Sequence, residues 1–283
     1  MDLSQLIARL GPDFFESALL LEKWGMHSLP YSLAQVRTNP DHLRKLLAIA
    51  LQTSTAEKLL PWKAETLLVE ALITCRDAEP AELRGHTLGP SPLLPPMGDS
   101  NWKDNAEDSL FKRNMTLMEL IEARKPLSQA FSQSAQTGRR FLEALINKHE
   151  STSRHEHELS QLLPNRLGKT IILSKLRAIN WKIDPLLESI STRRCLSLIL
   201  ALRIHELEHS SLPMTLDDLS PRYLTTLPVD PITGQSMKWH RDDGKIYSVG
   251  ENGWDDGGIF EKGKKSYTPP DWGMVYPWQT SGQ

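Results

Sequence analysis

The sequence predicts an α+β protein: a mainly α-helical region over residues 1–160, then residues 161–283 as a long helix packed on a small antiparallel sheet. Two observations point there. Through the first two-thirds of the 283 residues, leucines and isoleucines recur at the three-to-four spacing of an amphipathic helix. From Ser211 onward the chain changes to short apolar pieces punctuated by Pro, Gly, Asp and Asn. There two alternating segments, Met237 to His240 and Lys245 to Val249, flank Arg241-Asp242-Asp243-Gly244, which has the composition of a hairpin turn.

The elements follow in order. Gly11-Pro12-Asp13 opens a helix carrying Phe14, Phe15, Ala18, Leu19 and Leu21, with Gly25 as its stop. Asn39-Pro40 places a capping side chain before a proline at the first helical position, where the missing N–H costs nothing. Leu43, Leu46, Leu47 and Ala50 then share a face. A third helix runs from about Pro61 to Cys75. Residues 78–105 hold Pro80, Pro90, Pro92, Pro95 and Pro96 and read as a long loop, since no helix accommodates them. Helical spacing returns from Asp108 to Arg124, and Pro126 is expected to start a further helix reaching Ile146. The polar stretch Lys148 to Ser153 is the expected domain boundary. A helix near Leu167 to Trp181 follows, and Asp184-Pro185 is expected to cap a separate long helix ending around His209. Thr215 and Asp218 have the spacing of a capping box.

Composition excludes several function classes. Hydrophobic residues make up 39% and charged residues 24%, values of a globular protein able to bury a core. A formal net charge of -2 supplies no overall field for nucleic acid or an anionic membrane, and neither is expected as a partner. Lys262, Lys264 and Lys265 are the nearest approach to a basic patch and read as a solvated loop. The most apolar run, Cys195 to Ile204, is too short to span a bilayer, so no membrane insertion by this chain is expected. Cys75 and Cys195 set no disulfide framework.

The sharpest local motif is His205-Glu206-Leu207-Glu208-His209, which fits the zinc-peptidase pattern H-E-x-x-H. Residues four apart on a helix lie about 40° from one another around the axis, so both imidazoles can reach one zinc, with Glu206 as base on a metal-bound water. Against this, no third ligand follows at the expected spacing: the chain runs straight into Ser210-Ser211-Leu212-Pro213. The densest apolar stripe, Leu196, Ile199, Leu200, Ile204 and Leu207, faces away from the histidines. The expected reading is a scaffold helix end, where His209 complements the helix dipole. Arg154-His155-Glu156-His157-Glu158 spaces its histidines two apart, which diverge on a helix, and reads as a solvated face. Gly168-Lys169-Thr170 has the ending of a phosphate-binding loop, but Leu163 stands where that loop needs glycine.

The acidic loop Gly250-Glu251-Asn252-Gly253-Trp254-Asp255-Asp256-Gly257-Gly258 has two readings. Oxygen-bearing side chains on a tightly curved, Gly-rich loop suit a hard cation such as calcium. The same residues also make a solvated turn.

The whole tail carries a resemblance. Leu212-Pro213, Leu216-Asp217-Asp218-Leu219, Pro221, Tyr223-Leu224, Leu227-Pro228-Val229-Asp230-Pro231, Thr233-Gly234, Ile246-Tyr247-Ser248-Val249-Gly250 and the acidic loop occur in one order. Over roughly Ser191 to Trp278 this resembles the C-terminal part of the major (G-type) pseudopilin of type II secretion systems. It looks closer still to a group of bacterial proteins that carry the same ending behind a helical region. The resemblance implies a non-catalytic structural or protein-interaction role in the bacterial cell envelope or periplasm, with a protein partner. It also implies calcium in the loop, with Asn252, Asp255, Asp256 and Asp271 as the candidate ligands. Asn252 stands where the family pattern usually has Asp. Pseudopilins begin with a cleaved leader and a long apolar helix, and Met1 to Gly25 has neither. The expectation is therefore that the module serves another use, or that a preceding segment is missing. The alternative function is a zinc metallopeptidase using His205, Glu206 and His209.

Overall fold

A computed structural model describes residues 25–35, 39–52, 55–77, 112–155, 165–260 and 271–278. The architecture is α+β. A helix over residues 25–34 precedes α1 (Pro40–Ala50), α2 (Thr55–Asp77), α3 (Arg113–Gln133), α4 (Ala135–His155) and α5 (Arg166–His209). A one-turn 3-10 helix (Leu216–Leu219) then leads to β1 (Lys238–His240), β2 (Lys245–Ser248) and β3 (Trp272–Val275). The strands form an antiparallel sheet in the order β1-β2-β3.

Two compact units result. One joins residues 1–58 to 184–283, and the other is residues 59–183. This differs from a division near residue 160. The physical reason lies in the first unit's core, where Leu43, Leu47 and Ala50 of α1 are buried together with Cys195 to Ile204 of α5. Burial on that part of α5 runs round the helix: Leu198 and Leu202 are as enclosed as Leu196, Ile199 and Leu200. The same cluster takes in α1 and, from the sheet region, Met237, Ile246, Met274 and Tyr276. The Cys195 thiol reaches the Ile246 carbonyl at 3.5 Å, and its burial pushes the thiol pKa far up. Leu207, by contrast, is 37% exposed, so the apolar stripe ends at Ile204.

In the second unit, Leu59, Leu60, Leu67 and Leu68 of α2, Leu120, Leu127 and Phe131 of α3, Leu142 of α4 and Ile171, Ile172 and Leu176 of α5 are buried. Partly exposed ion pairs lie along the edges, Arg177–Glu150 at 2.6 Å among them.

Local chemistry explains where helices start and stop. Asn39 caps α1 as expected, its side chain accepting from the Asp41 N–H at 2.9 Å. Pro40 stands at the start of α1, but Pro126 and Pro185 do not set boundaries. Gly25, expected as a stop, is itself helical; Pro126 and Pro185 lie inside helices, and α5 runs unbroken through Asp184-Pro185. A helix-interior proline costs about 3 kcal/mol. Here buried Leu127, Ala130 and Phe131 beside Pro126, and Leu186 and Leu187 beside Pro185, offset it. The break after α3 falls at Ser134, extended at φ -165° and ψ 157°, whose hydroxyl accepts from the Thr137 N–H at 3.0 Å and so caps α4. Gly138 lets this corner close: a Cβ there would lie 2.1 Å from the Phe131 ring. Lys148 to Ser153, expected as a boundary, is helical within α4. The Pro-rich stretch 78–105 lies outside the described residues.

The hairpin follows the alternation read from the sequence. Trp239 pairs with Ile246 and His240 with Lys245, and Gly244 takes the left-handed conformation (φ 64°) that the turn requires. The capping box also forms, with the Thr215 N–H donating to Asp218 at 3.0 Å.

Candidate functional site

The last turn of α5 brings His205 and His209 side by side, as their spacing dictates. The rings stack, with centroids 4.3 Å apart and planes inclined by 21°. Their Nδ1 atoms lie against backbone carbonyls, His205 on Ser211 at 2.9 Å and His209 on His205 at 3.1 Å. His209 Nε2 stands 3.4 Å from the Arg222 guanidinium.

Both glutamates of the motif are engaged in holding the unit together. Glu206 pairs with Arg203 and accepts from the Tyr276 hydroxyl at 2.5 Å, which ties the helix end to the chain just after β3. Arg203 in turn lies over the Trp278 ring, 5.1 Å from its centroid. Burial, then the Glu206 carboxylate, pushes the Tyr276 phenol far up. Glu208 pairs with Arg44 of α1 and with Arg222 at 2.7 Å, and accepts from the Tyr223 hydroxyl at 2.8 Å. The Tyr223 hydrogen bond and the two guanidinium groups hold Glu208 below the usual carboxylate range. Burial and the Glu208 carboxylate push Tyr223 up to about 12. Arg44, Arg222, Tyr223 and Tyr276 were not legible as partners in the sequence, because they come from separate elements.

The acidic loop is organised by carboxylates that accept from protein donors. Asp255 accepts from the Tyr247 hydroxyl at 2.9 Å and the Gly257 N–H at 3.1 Å, and faces the Lys238 ammonium at 3.3 Å. Burial raises its pKa, but these donors outweigh it and hold Asp255 below its ordinary value. Asn252 accepts from the Trp254 N–H at 2.9 Å and donates to Asp256 at 2.7 Å. Asp271, at the start of β3 and buried, accepts from the Gly258 N–H at 2.8 Å and the Ile259 N–H at 3.3 Å. Burial nevertheless raises its pKa. The four candidate calcium ligands thus divide. Asn252 meets the Asp256 carboxylate and the Asp256 N–H donates to Asp271 at 3.5 Å, while Asp255 is turned to Tyr247 and Lys238. Among the described residues, no group of three or more His, Cys, Asp or Glu side chains is placed to hold a metal.

A further carboxylate carries more of the module than the sequence reading assigned to it. Asp230 is buried, and accepts from the N–H groups of Ile232 at 2.7 Å, Thr233 at 3.3 Å and Val249 at 3.0 Å, and from the Ser248 hydroxyl at 3.0 Å. It joins the Pro-Ile-Thr-Gly turn to the end of β2. The sequence signal is an aspartate two residues before a turn N–H, the Asx-turn arrangement. His157 and Lys262, Lys264 and Lys265 lie outside the described residues, as do the side chains of Arg154 and His155.

No helix among the described residues is long and apolar enough to cross a membrane. No protein-family model, curated protein or solved structure matches this chain.

Proposed function

We propose that this chain is a non-catalytic structural or protein-interaction protein of the bacterial cell envelope, with a C-terminal module of pseudopilin type. The observation that carries this reading is the engagement of both motif glutamates. Glu206 and Glu208 bind Arg203, Tyr276, Arg44, Arg222 and Tyr223, and so fasten α5 to α1 and to the chain around the sheet. A general base must reach a metal-bound water, whereas Glu206 faces a guanidinium and a phenol. The resemblance of the tail supplies the envelope and secretion context and the expectation of a protein partner.

The alternative, a zinc metallopeptidase, draws on the stacked His205–His209 pair. Metal analysis of the purified protein, with the melting of His205→Ala, separates the two. The scaffold reading expects no stoichiometric zinc and an unchanged fold, since a single hydrogen bond to a carbonyl is worth about 1 kcal/mol. Tightly bound zinc that disappears in His205→Ala would overturn it.

Calcium is the cofactor that the resemblance implies, and the loop is proposed as its place. Bound calcium raises the melting temperature with the logarithm of one plus its concentration over Kd, and Asp255→Ala with Asp256→Ala abolishes the rise. Identical melting with calcium and with chelator would instead assign the loop's order to its hydrogen bonds.

A further inference from the structure

The acidic loop holds one side-chain amide placed to react with its own backbone. Of the eight asparagines in the sequence, Asn252 alone is followed by glycine. Asn39 precedes a proline, which has no N–H to react, and Asn147 and Asn180 sit inside α4 and α5, where the backbone is held helical. Asn252, Gly253 and Trp254 are all exposed, Trp254 to 75%. Gly253 is in the left-handed region at φ 72°, and no atom lies within 4 Å of where its Cβ would stand. Its N–H donates to the Gly250 carbonyl at 3.4 Å, well beyond the usual length of about 2.9 Å, so the nitrogen is weakly held.

The Asn252 side chain is engaged at both ends of its amide. Its Oδ1 accepts from the Trp254 N–H at 2.9 Å, which draws electrons from Cγ and stabilises negative charge on that oxygen. Its Nδ2 donates to the Asp256 carboxylate at 2.7 Å, through a solvent-exposed bond that water can replace. The Gly253 nitrogen carries no neighbouring side chain to shield it. Its attack on Cγ closes a five-membered ring, and an intramolecular step of that kind avoids the entropy cost of bringing two molecules together.

We propose that Asn252 is a site of spontaneous deamidation, a modification that needs water and no enzyme. The Gly253 nitrogen gives its proton to solvent base and bonds to Asn252 Cγ, with the electron pair passing to Oδ1 beside the Trp254 N–H. The carbonyl then re-forms, the Cγ–Nδ2 bond breaks, and Nδ2 leaves as ammonia with a proton from water. Water opens the cyclic imide at either carbonyl. Opening at Cγ leaves Asp in the ordinary main chain. Opening at the backbone carbonyl leaves isoaspartate, whose main chain runs through the side chain and is longer by a methylene. Either product replaces an amide by a carboxylate. In the Asp product the Asp256 carboxylate loses its donor and faces a like charge across the same 2.7 Å, which loosens the loop beside exposed Trp254. The reaction does not depend on whether the loop holds calcium.

The test is incubation of the full chain in mildly alkaline buffer with chelator, followed by peptide mass mapping, beside a sample unfolded in urea. In the folded chain the peptide carrying Asn252 is expected to gain the mass of an amide-to-acid exchange, at a rate comparable with the unfolded chain. The same peptide is expected to become a substrate for isoaspartate methylation. Gly253→Ala sets a methyl beside the attacking nitrogen and is expected to slow the gain severalfold. Asn252→Gln, which needs a larger ring, is expected to slow it likewise, and it decides the matter should the left-handed backbone keep the alanine variant from folding. Asn252→Asp, the product made directly, is expected to melt below wild type in chelator. Retention of the Asn252 amide in the folded chain would overturn the proposal, and its loss from the unfolded chain alone would identify the loop's hydrogen bonds as the protection. A mass gain undiminished in Asn252→Gln would place the reaction at another residue and sink the assignment. Equal melting of Asn252→Asp and wild type would refute the loosening of the loop.

Discussion

Replacing Asp230 by Asn keeps the shape of a buried side chain while removing its charge and one of its acceptor oxygens. Three donors converge on Oδ1, from Ile232, Thr233 and Ser248, and the Val249 N–H meets Oδ2. The best amide rotamer keeps its oxygen toward the three, and so sets its NH2 against the Val249 N–H, donor against donor. A hydrogen bond to a charged group contributes about 1.5–3 kcal/mol, and a buried donor left unsatisfied costs about 1–3 kcal/mol. The two losses overlap at Val249, and the remaining bonds weaken when the charge goes, so the expected destabilisation is about 3 kcal/mol. Urea unfolding followed by circular dichroism measures it. The midpoint should fall with an unchanged m-value, showing a less stable unit rather than a less compact one. Asp230→Ala strands every donor and should cost more, about 4 kcal/mol. A loss below about 1 kcal/mol for the Asn variant would mean that water replaces these bonds freely, and would refute Asp230 as the join between turn and sheet.

Gly138→Ala tests sign rather than size. Helix propensity alone favours Ala over Gly by about 1 kcal/mol, but the new methyl would meet the buried Phe131 ring at 2.1 Å. Overpacking of this kind costs about 1–3 kcal/mol, so a fall in melting temperature is expected and a rise would refute the corner's packing. The folded pKa values of Glu208 and Asp218 are depressed, the first mainly by the Tyr223 hydroxyl and the second mainly by the Thr215 backbone. Their contribution is therefore fully present above the ordinary values, 4.5 for Glu and 3.8 for Asp, and is lost as pH falls through the lowered folded values. Denaturation across that window should show a shallower acid loss in Glu208→Gln. Asp271 works in the opposite sense. Burial raises its pKa, so its ionisation lowers stability as pH rises from 3.8 through the folded value. In that window the stability of Asp271→Asn should improve relative to wild type as pH rises, and a constant difference would count against the shift.

The sequence by itself determined the local features of this protein. Asn39 before Pro40, the Thr215–Asp218 box, the Arg241 to Gly244 turn and the alternation of the two strands each depend on residues within four positions of one another, and each stands in the structure. The neighbouring positions of His205 and His209 were legible for the same reason. That helices continue through Pro126 and Pro185 was not. A proline's cost is local, but whether a helix continues through it depends on burial gained at distant contacts, and in α3 and α5 that burial wins. Likewise the acidic loop was visible, but not that Tyr247 and Lys238 take Asp255 while Gly258 takes Asp271. Only the tertiary structure decided that α1 shares a core with the second part of α5, and that the motif's glutamates meet Arg44, Arg222, Tyr223 and Tyr276. Those pairings depend on chain segments brought together by burial of apolar surface. That force is non-directional: apolar spacing shows which face of an element is buried but not which distant segment it meets.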